Sequence, residues 1–238
     1  MKQTKTILYY ITLSSVAGFL LILLIFFGSS TTIIGIFDRL LISITFIISC
    51  LFGISLAIYP HWYNKIRKSQ NNKENKKQFF KTVIKRKGHH PNCNKFQKHI
   101  LKIKHKSYCA GCLGLAIGSF ISILLMIFYI STVNEPISQI FQLLVITGFI
   151  FIGIIYIEII QPYRHVIFHI ISSALLVVSF FIITVSIFEL TGNTIYGIIS
   201  IVFSFLWLET RVQLSIWRHS RICNNCDKSK RCVDSFIS

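Results

Sequence analysis

Long unbroken apolar runs, separated by short polar or basic segments, set the pattern of the chain from Ile7 to Leu208. A helix crossing the roughly 30 Å hydrocarbon core needs about 20 mostly apolar residues, because every backbone polar group there must be satisfied internally. Six runs meet that need and predict six spans: Ile7–Gly28, Leu40–Tyr59, Leu113–Ile130, Ile137–Ile160, His165–Phe188 and Thr194–Glu209. The sixth is the shortest. Its uninterrupted stretch, Ile195 to Leu208, needs Thr194 and Thr210, or a shorter local crossing. Polar turns such as Gly28–Thr32 and Asn134–Pro136 separate the runs. Lys2 and Lys5 ahead of the first run resemble the start of a signal peptide. That run is too long for a signal core and lacks a small-x-small cleavage site, so a retained span is expected.

Composition agrees with the pattern. Of 238 residues, 53% are apolar and 14% charged, against about 25% charged in an ordinary soluble domain. A soluble enzyme, a disordered chain and a secreted disulfide scaffold are excluded. The charge is one-sided: 25 Lys and Arg against 8 Asp and Glu, a formal +17. Lys2 and Lys5, the fifteen basic residues between His61 and Tyr108, Arg164 and the six from Arg211 onward all fall on one side of a six-span topology; only Arg39 does not. Basic loops stay in the cytoplasm, so both termini are expected there, in a cell (plasma) membrane. Trp62, Trp207 and Trp217 fall near the same interface, where indole rings anchor helix ends.

The +17 therefore describes one membrane face, and no nucleic-acid partner is expected. The stretch from Asn64 to about Gln78 is Lys/Asn/Gln-rich and reads as poorly ordered. Phe79, Phe80, Val83 and Ile84 then share a helical face ringed by Lys and Arg, a segment suited to lie on anionic headgroups. Topology and solubility alone account for these charges as well.

The candidate chemistry gathers on that face. Cys50 lies inside the second span and reads as a small buried apolar residue. The other six cysteines form two groups, each with a histidine: His90, Cys93, Cys109 and Cys112, then His219, Cys223, Cys226 and Cys232. Cytoplasmic thiols are kept reduced, so C-x-x-C units there point to metal or redox work. Two intervening residues let a tight turn aim both thiolates at one ion about 2.3 Å away, and two more S or N donors complete a tetrahedron. Each group supplies four donors, with His89, His99 or His105 able to replace His90. Either each group closes its own site or the two share ligands. Closed S/N sites of this kind are typically structural zinc; an iron–sulfur cluster and metal-free thiol chemistry are the alternatives. Metal would also supply the folding energy that short, Lys-rich segments lack. A third constellation lies at the membrane boundary: His165 and His169, one helical turn apart, with Glu158 across a short turn. Ionisable groups at such depth are functional candidates, although histidines i, i+4 apart without the zinc-protease Glu also serve as simple interfacial residues. Gly114 and Gly118 follow Cys112 and make a small-xxx-small face for close helix approach.

The segment Cys109-Ala-Gly-Cys112-Leu-Gly114-Leu-Ala-Ile-Gly118 resembles an uncharacterised archaeal and bacterial family of multi-span membrane proteins. In that family C-A-x-C-x-G-x-x-x-G marks the entry of a cytoplasmic loop into a span, with a His upstream. The likeness extends from Gly88 to Cys232 and implies the architecture and the cysteine loops, not a reaction.

The expected fold is all-α: a six-helix transmembrane bundle with a Cys/His metal-stabilised cytoplasmic face. Its parts are a transmembrane hairpin (1–60), a basic loop with the first Cys/His group (61–108), the remaining bundle (109–210) and a tail with the second group (211–238). The expected function is a zinc-ordered membrane platform for scaffolding or for sensing metal or redox state, with a protein partner or a second copy as its target. The rival is a membrane-embedded metal enzyme or redox protein acting on a lipid-soluble substrate through Glu158, His165 and His169. Few charges within the spans, and the lack of an inverted repeat, disfavour a transporter.

Overall fold

The computed structural model describes residues 2–27, 34–58, 100–103, 106–132, 138–160 and 165–224. They form six helices: α1 (Lys2–Phe27), α2 (Ile36–Ile58), α3 (Ala110–Thr132), α4 (Ser138–Ile160), α5 (Val166–Thr191) and α6 (Thr194–Asn224). A two-stranded antiparallel hairpin, β1 (Ile100–Ile103) and β2 (Lys106–Cys109), leads directly into α3. Each helix contains a segment long and apolar enough to cross a membrane. The chain is thus an integral, multi-pass membrane protein. Large side chains such as Leu8, Phe19, Phe128, Ile146, Ile167 and Phe205 stay exposed on the bundle, as a surface solvated by lipid requires.

The boundaries differ from the expected ones in an instructive way. The second helix starts at Ile36 rather than Leu40, and so includes Asp38 and Arg39. The fifth continues past Phe188 to take in Glu189. The sixth runs on past Glu209 as one helix to Asn224. Charged residues end a hydropathic run without ending a helix: Asp38, Arg39 and Glu189 find partners on other helices, and Glu209 accepts from Gln213 one turn further along α6. The hairpin was absent from the all-α expectation; its strands of four residues carry no alternating pattern.

Helix α5 is the central element, packed against α3, α4 and α6 and touching α1. Leu176, Phe180, Ile183 and Ile187 meet Leu21 of α1, Val145, Ile152 and Ile155 of α4 and Trp207 of α6 in one core cluster. Trp207 is not an interfacial anchor. It is 3% exposed, stacks on Phe180 and meets Phe149 edge-on, and its indole N–H donates to the Ser14 carbonyl at 3.1 Å. Thr210 satisfies its hydroxyl on the Leu206 carbonyl and on Ser14, which is how the short sixth apolar run tolerates a polar end. Between α5 and α6 the chain turns on Gly192, which takes the left-handed conformation (φ 60°) and returns its N–H to the Phe188 carbonyl. The side chain of Asn193 then accepts the Ile195 N–H and caps α6.

Candidate functional site

The helix directions place the starts of α1, α3 and α5 and the ends of α2, α4 and α6 at one end of the bundle, here termed the basic end. There β2 delivers Cys109 immediately before α3, opposite Ile100 of β1, and Cys112 follows in the first turn of the helix. The Cys112 thiol is hydrogen-bonded to that of Cys109, and both cysteines are reduced and half-buried. The C-x-x-C turn therefore brings its two sulfurs together.

What holds the turn is close backbone packing. A Cβ at Gly114 would stand 2.5 Å from the Ser173 Cβ, and one at Gly118 would stand 2.5 Å from the Ala174 carbonyl oxygen. No side chain larger than hydrogen fits at either position while α3 and α5 keep this distance. At the top of the contact Ser173 links three elements. Its hydroxyl donates to the His169 carbonyl at 2.6 Å and accepts from the Arg211 guanidinium of α6 at 2.7 Å. Gly111 lies between the cysteines and this serine: a Cβ there would be 3.9 Å from both the Cys109 Sγ and the Ser173 Oγ. Arg211 also acts electrostatically on Cys112. A metal-bound cysteine is a thiolate, so Arg211 and the first amides of α3 place positive charge where two thiolates would carry negative charge.

Of the expected ligands, only Cys109 and Cys112 are brought together by described side chains. His90, Cys93, Cys226 and Cys232 lie outside the described residues. The described backbone of α6 includes His219 and Cys223, and that of α4 includes Glu158, but their side chains lie outside the description. Among the described residues no group of three or more His, Cys, Asp or Glu side chains could hold a metal ion. His165 precedes α5 without capping it and is exposed, whereas His169 is half-buried one turn later. The two do not form a joint site with the cysteine pair.

The opposite end holds a site that the sequence reading passed over. Glu189, whose side chain is 0% exposed, forms an ion pair with Arg39, which is 15% exposed, at 3.2 Å. A second contact of the guanidinium with the carboxylate measures 3.4 Å, and Tyr129 donates its phenol to the same carboxylate. Beside it, Thr194 donates to Asp38 at 2.8 Å and ties the start of α6 to that of α2. The signal was present: a base opens the second span and an acid closes the fifth, and in a six-span topology those two ends lie on the same side.

No family model matches the chain, and neither a curated protein nor a solved structure is similar to it.

Proposed function

We propose that this membrane protein is a zinc-ordered platform. The basic end faces the cytoplasm, and the C-x-x-C turn on α3 supplies two of the thiolates that hold the ion. The observation that carries this reading is the paired thiols of Cys109 and Cys112, fixed on α3 where glycines lock that helix to α5 and Arg211 stands by with compensating charge. His90 and Cys93 complete the first set; His219, Cys223, Cys226 and Cys232 form the second. A site closed by four protein donors orders a structure instead of activating water. Occupancy of the first set bears directly on the α3–α5 contact, which suits a sensor of metal or redox state, or a scaffold whose docking face depends on metal.

The test is elemental analysis of anaerobically purified full-length protein in detergent, with Cys109→Ser and Cys112→Ser beside the wild type. Zinc in the wild type, reduced by about one equivalent in each variant, is the expected result. Wild-type protein free of metal, or variants with unchanged zinc, would overturn the proposal. Iron with acid-labile sulfide would move the function to membrane electron transfer. Loss of function in His165→Ala or His169→Ala, with zinc and fold retained, would favour a membrane-embedded enzyme.

A further inference from the structure

Among the cysteines whose side chains are described, Cys50 and the Cys109–Cys112 pair have opposite surroundings. Cys50 is buried in a core cluster with Phe46, Met126 and Val177, out of reach of any reagent dissolved in water. Cys109 and Cys112 are half-buried at the basic end, where the chain leaves the hairpin for α3. Their thiols are hydrogen-bonded to each other, so the two sulfurs already meet. Both belong to one turn: Cys109 ends β2 and Cys112 lies in the first turn of α3. Bringing the sulfurs to the about 2.05 Å of a disulfide therefore moves that turn alone. The helix contact beyond it stays as it is, because Gly114 and Gly118 hold α3 against the backbone of α5. Disulfides that form on the cytoplasmic side are usually transient and redox-sensing or catalytic, and a partly exposed pair of touching thiols is suited to that use.

We propose that Cys109 and Cys112 are a reversible dithiol–disulfide pair, oxidised by a low-molecular-weight disulfide of the glutathione type. The exchange balances with no further reagent. One cysteine, as its thiolate, attacks a sulfur of the external disulfide: a bond forms between the two sulfurs, the external sulfur–sulfur bond breaks, and one external thiolate leaves. The second cysteine, also as its thiolate, attacks the protein sulfur of this mixed disulfide and displaces the other external thiolate. The pair loses two electrons and the external disulfide gains them, while the two cysteine protons end on the two departing thiols. A disulfide sulfur is no longer a thiolate and no longer a metal donor. On the zinc reading above, closing the pair thus removes two of the four donors of the first set and empties it; the closure itself does not depend on that reading. Oxidation would then release the segment that carries His90 and Cys93 and leave the α3–α5 contact in place.

The test uses full-length protein, purified anaerobically in detergent and titrated with oxidised glutathione. Remaining thiols are alkylated after denaturation and mapped by mass spectrometry, while a zinc-sensitive dye follows metal release. Cys109 and Cys112 should be the first cysteines to escape alkylation, joined to each other, with about two equivalents of reduced glutathione formed per pair. Dithiothreitol should restore both thiols, and Cys50 should remain a thiol throughout. In Cys112→Ser no second sulfur resolves the mixed disulfide, so Cys109 should retain bound glutathione. A wild-type protein in which Cys109 or Cys112 joins any other cysteine, keeps a stable glutathione adduct, or stays alkylatable while other cysteines oxidise would overturn the proposal. The same titration of chelator-treated protein separates the two readings. Closure of the pair in a protein that never held zinc sustains this proposal while the zinc reading fails. A zinc-binding protein whose pair stays reduced with and without its metal overturns this proposal and leaves the zinc reading standing.

Discussion

The ion pair of Arg39 with Glu189 shows how far one residue can determine the tolerance of a neighbouring helix. Both oxygens of the carboxylate are engaged by the guanidinium, and Tyr129 adds a third donor. Removing one partner of a buried pair leaves an uncompensated charge, whereas replacing both by apolar residues of similar volume is often neutral. Arg39→Met alone is therefore expected to destabilise the bundle by about 3–5 kcal/mol, and Arg39→Met with Glu189→Leu to recover most of it. Chemical unfolding in detergent micelles reads both; a double variant no better than the single one would mean that the pair contributes more than mutual neutralisation. Neither residue stood out in the sequence. Arg39 reads there as a stray exception to the charge asymmetry, and Glu189 as the end of an apolar run. What the sequence does not carry is that the second and fifth spans both pack on α3 and α6, which brings Arg39 to Glu189; without that arrangement the two charges have no relation.

At the scale of elements, the contact of α3 with α5 is the one the sequence announced most clearly, because Gly114 and Gly118 stand four apart just after a C-x-x-C turn. The structure adds which glycines matter. At Gly118 a side chain would collide with the Ala174 backbone, whereas at Gly153 on α4 an added Cβ meets nothing within 4 Å. Gly118→Val should accordingly force α3 off α5 and lower the unfolding midpoint sharply, while Gly153→Ala should be neutral or slightly stabilising. Equal effects at the two positions would show that the close approach is not what the glycines provide. The spans themselves were legible to within a few residues, since a continuous apolar run has few other fates. The hairpin was not, because strands of four residues are too short to show the alternation by which a half-buried strand declares itself. Trp207 misled for a related reason. Proximity to a span end suggests an interfacial ring, but the choice between interface and core depends on which face of α6 meets Phe180 and Phe149.

For the whole molecule, charge asymmetry and hydropathy fixed six crossings and one basic end, and the order in which the helices pack emerged only with their contacts. The candidate metal chemistry was half legible. Spacing alone paired Cys109 with Cys112, but neither Arg211 nor Ser173, which come from two other spans, has any sequence signature as a neighbour of that pair.

The unbroken course of α6 bears on whether the two Cys/His sets form one centre or two. From Arg211, beside the first thiol pair, to Cys223 the helix advances about 18 Å at 1.5 Å per residue, while a zinc–sulfur bond spans about 2.3 Å. Even allowing for the reach of an arginine side chain, one ion cannot touch both ends of that interval. The helix is, on the proposed reading, a spacer between the Cys109–Cys112 pair and Cys223. On the proposed reading, zinc titration should saturate at two equivalents, with Cys109→Ser abolishing one and Cys223→Ser the other. A single equivalent lost in either variant would mean that the sets close on one ion after all. On that reading two ions held apart along one continuous helix would fill and empty independently of each other, one beside the packed bundle and the other beyond it.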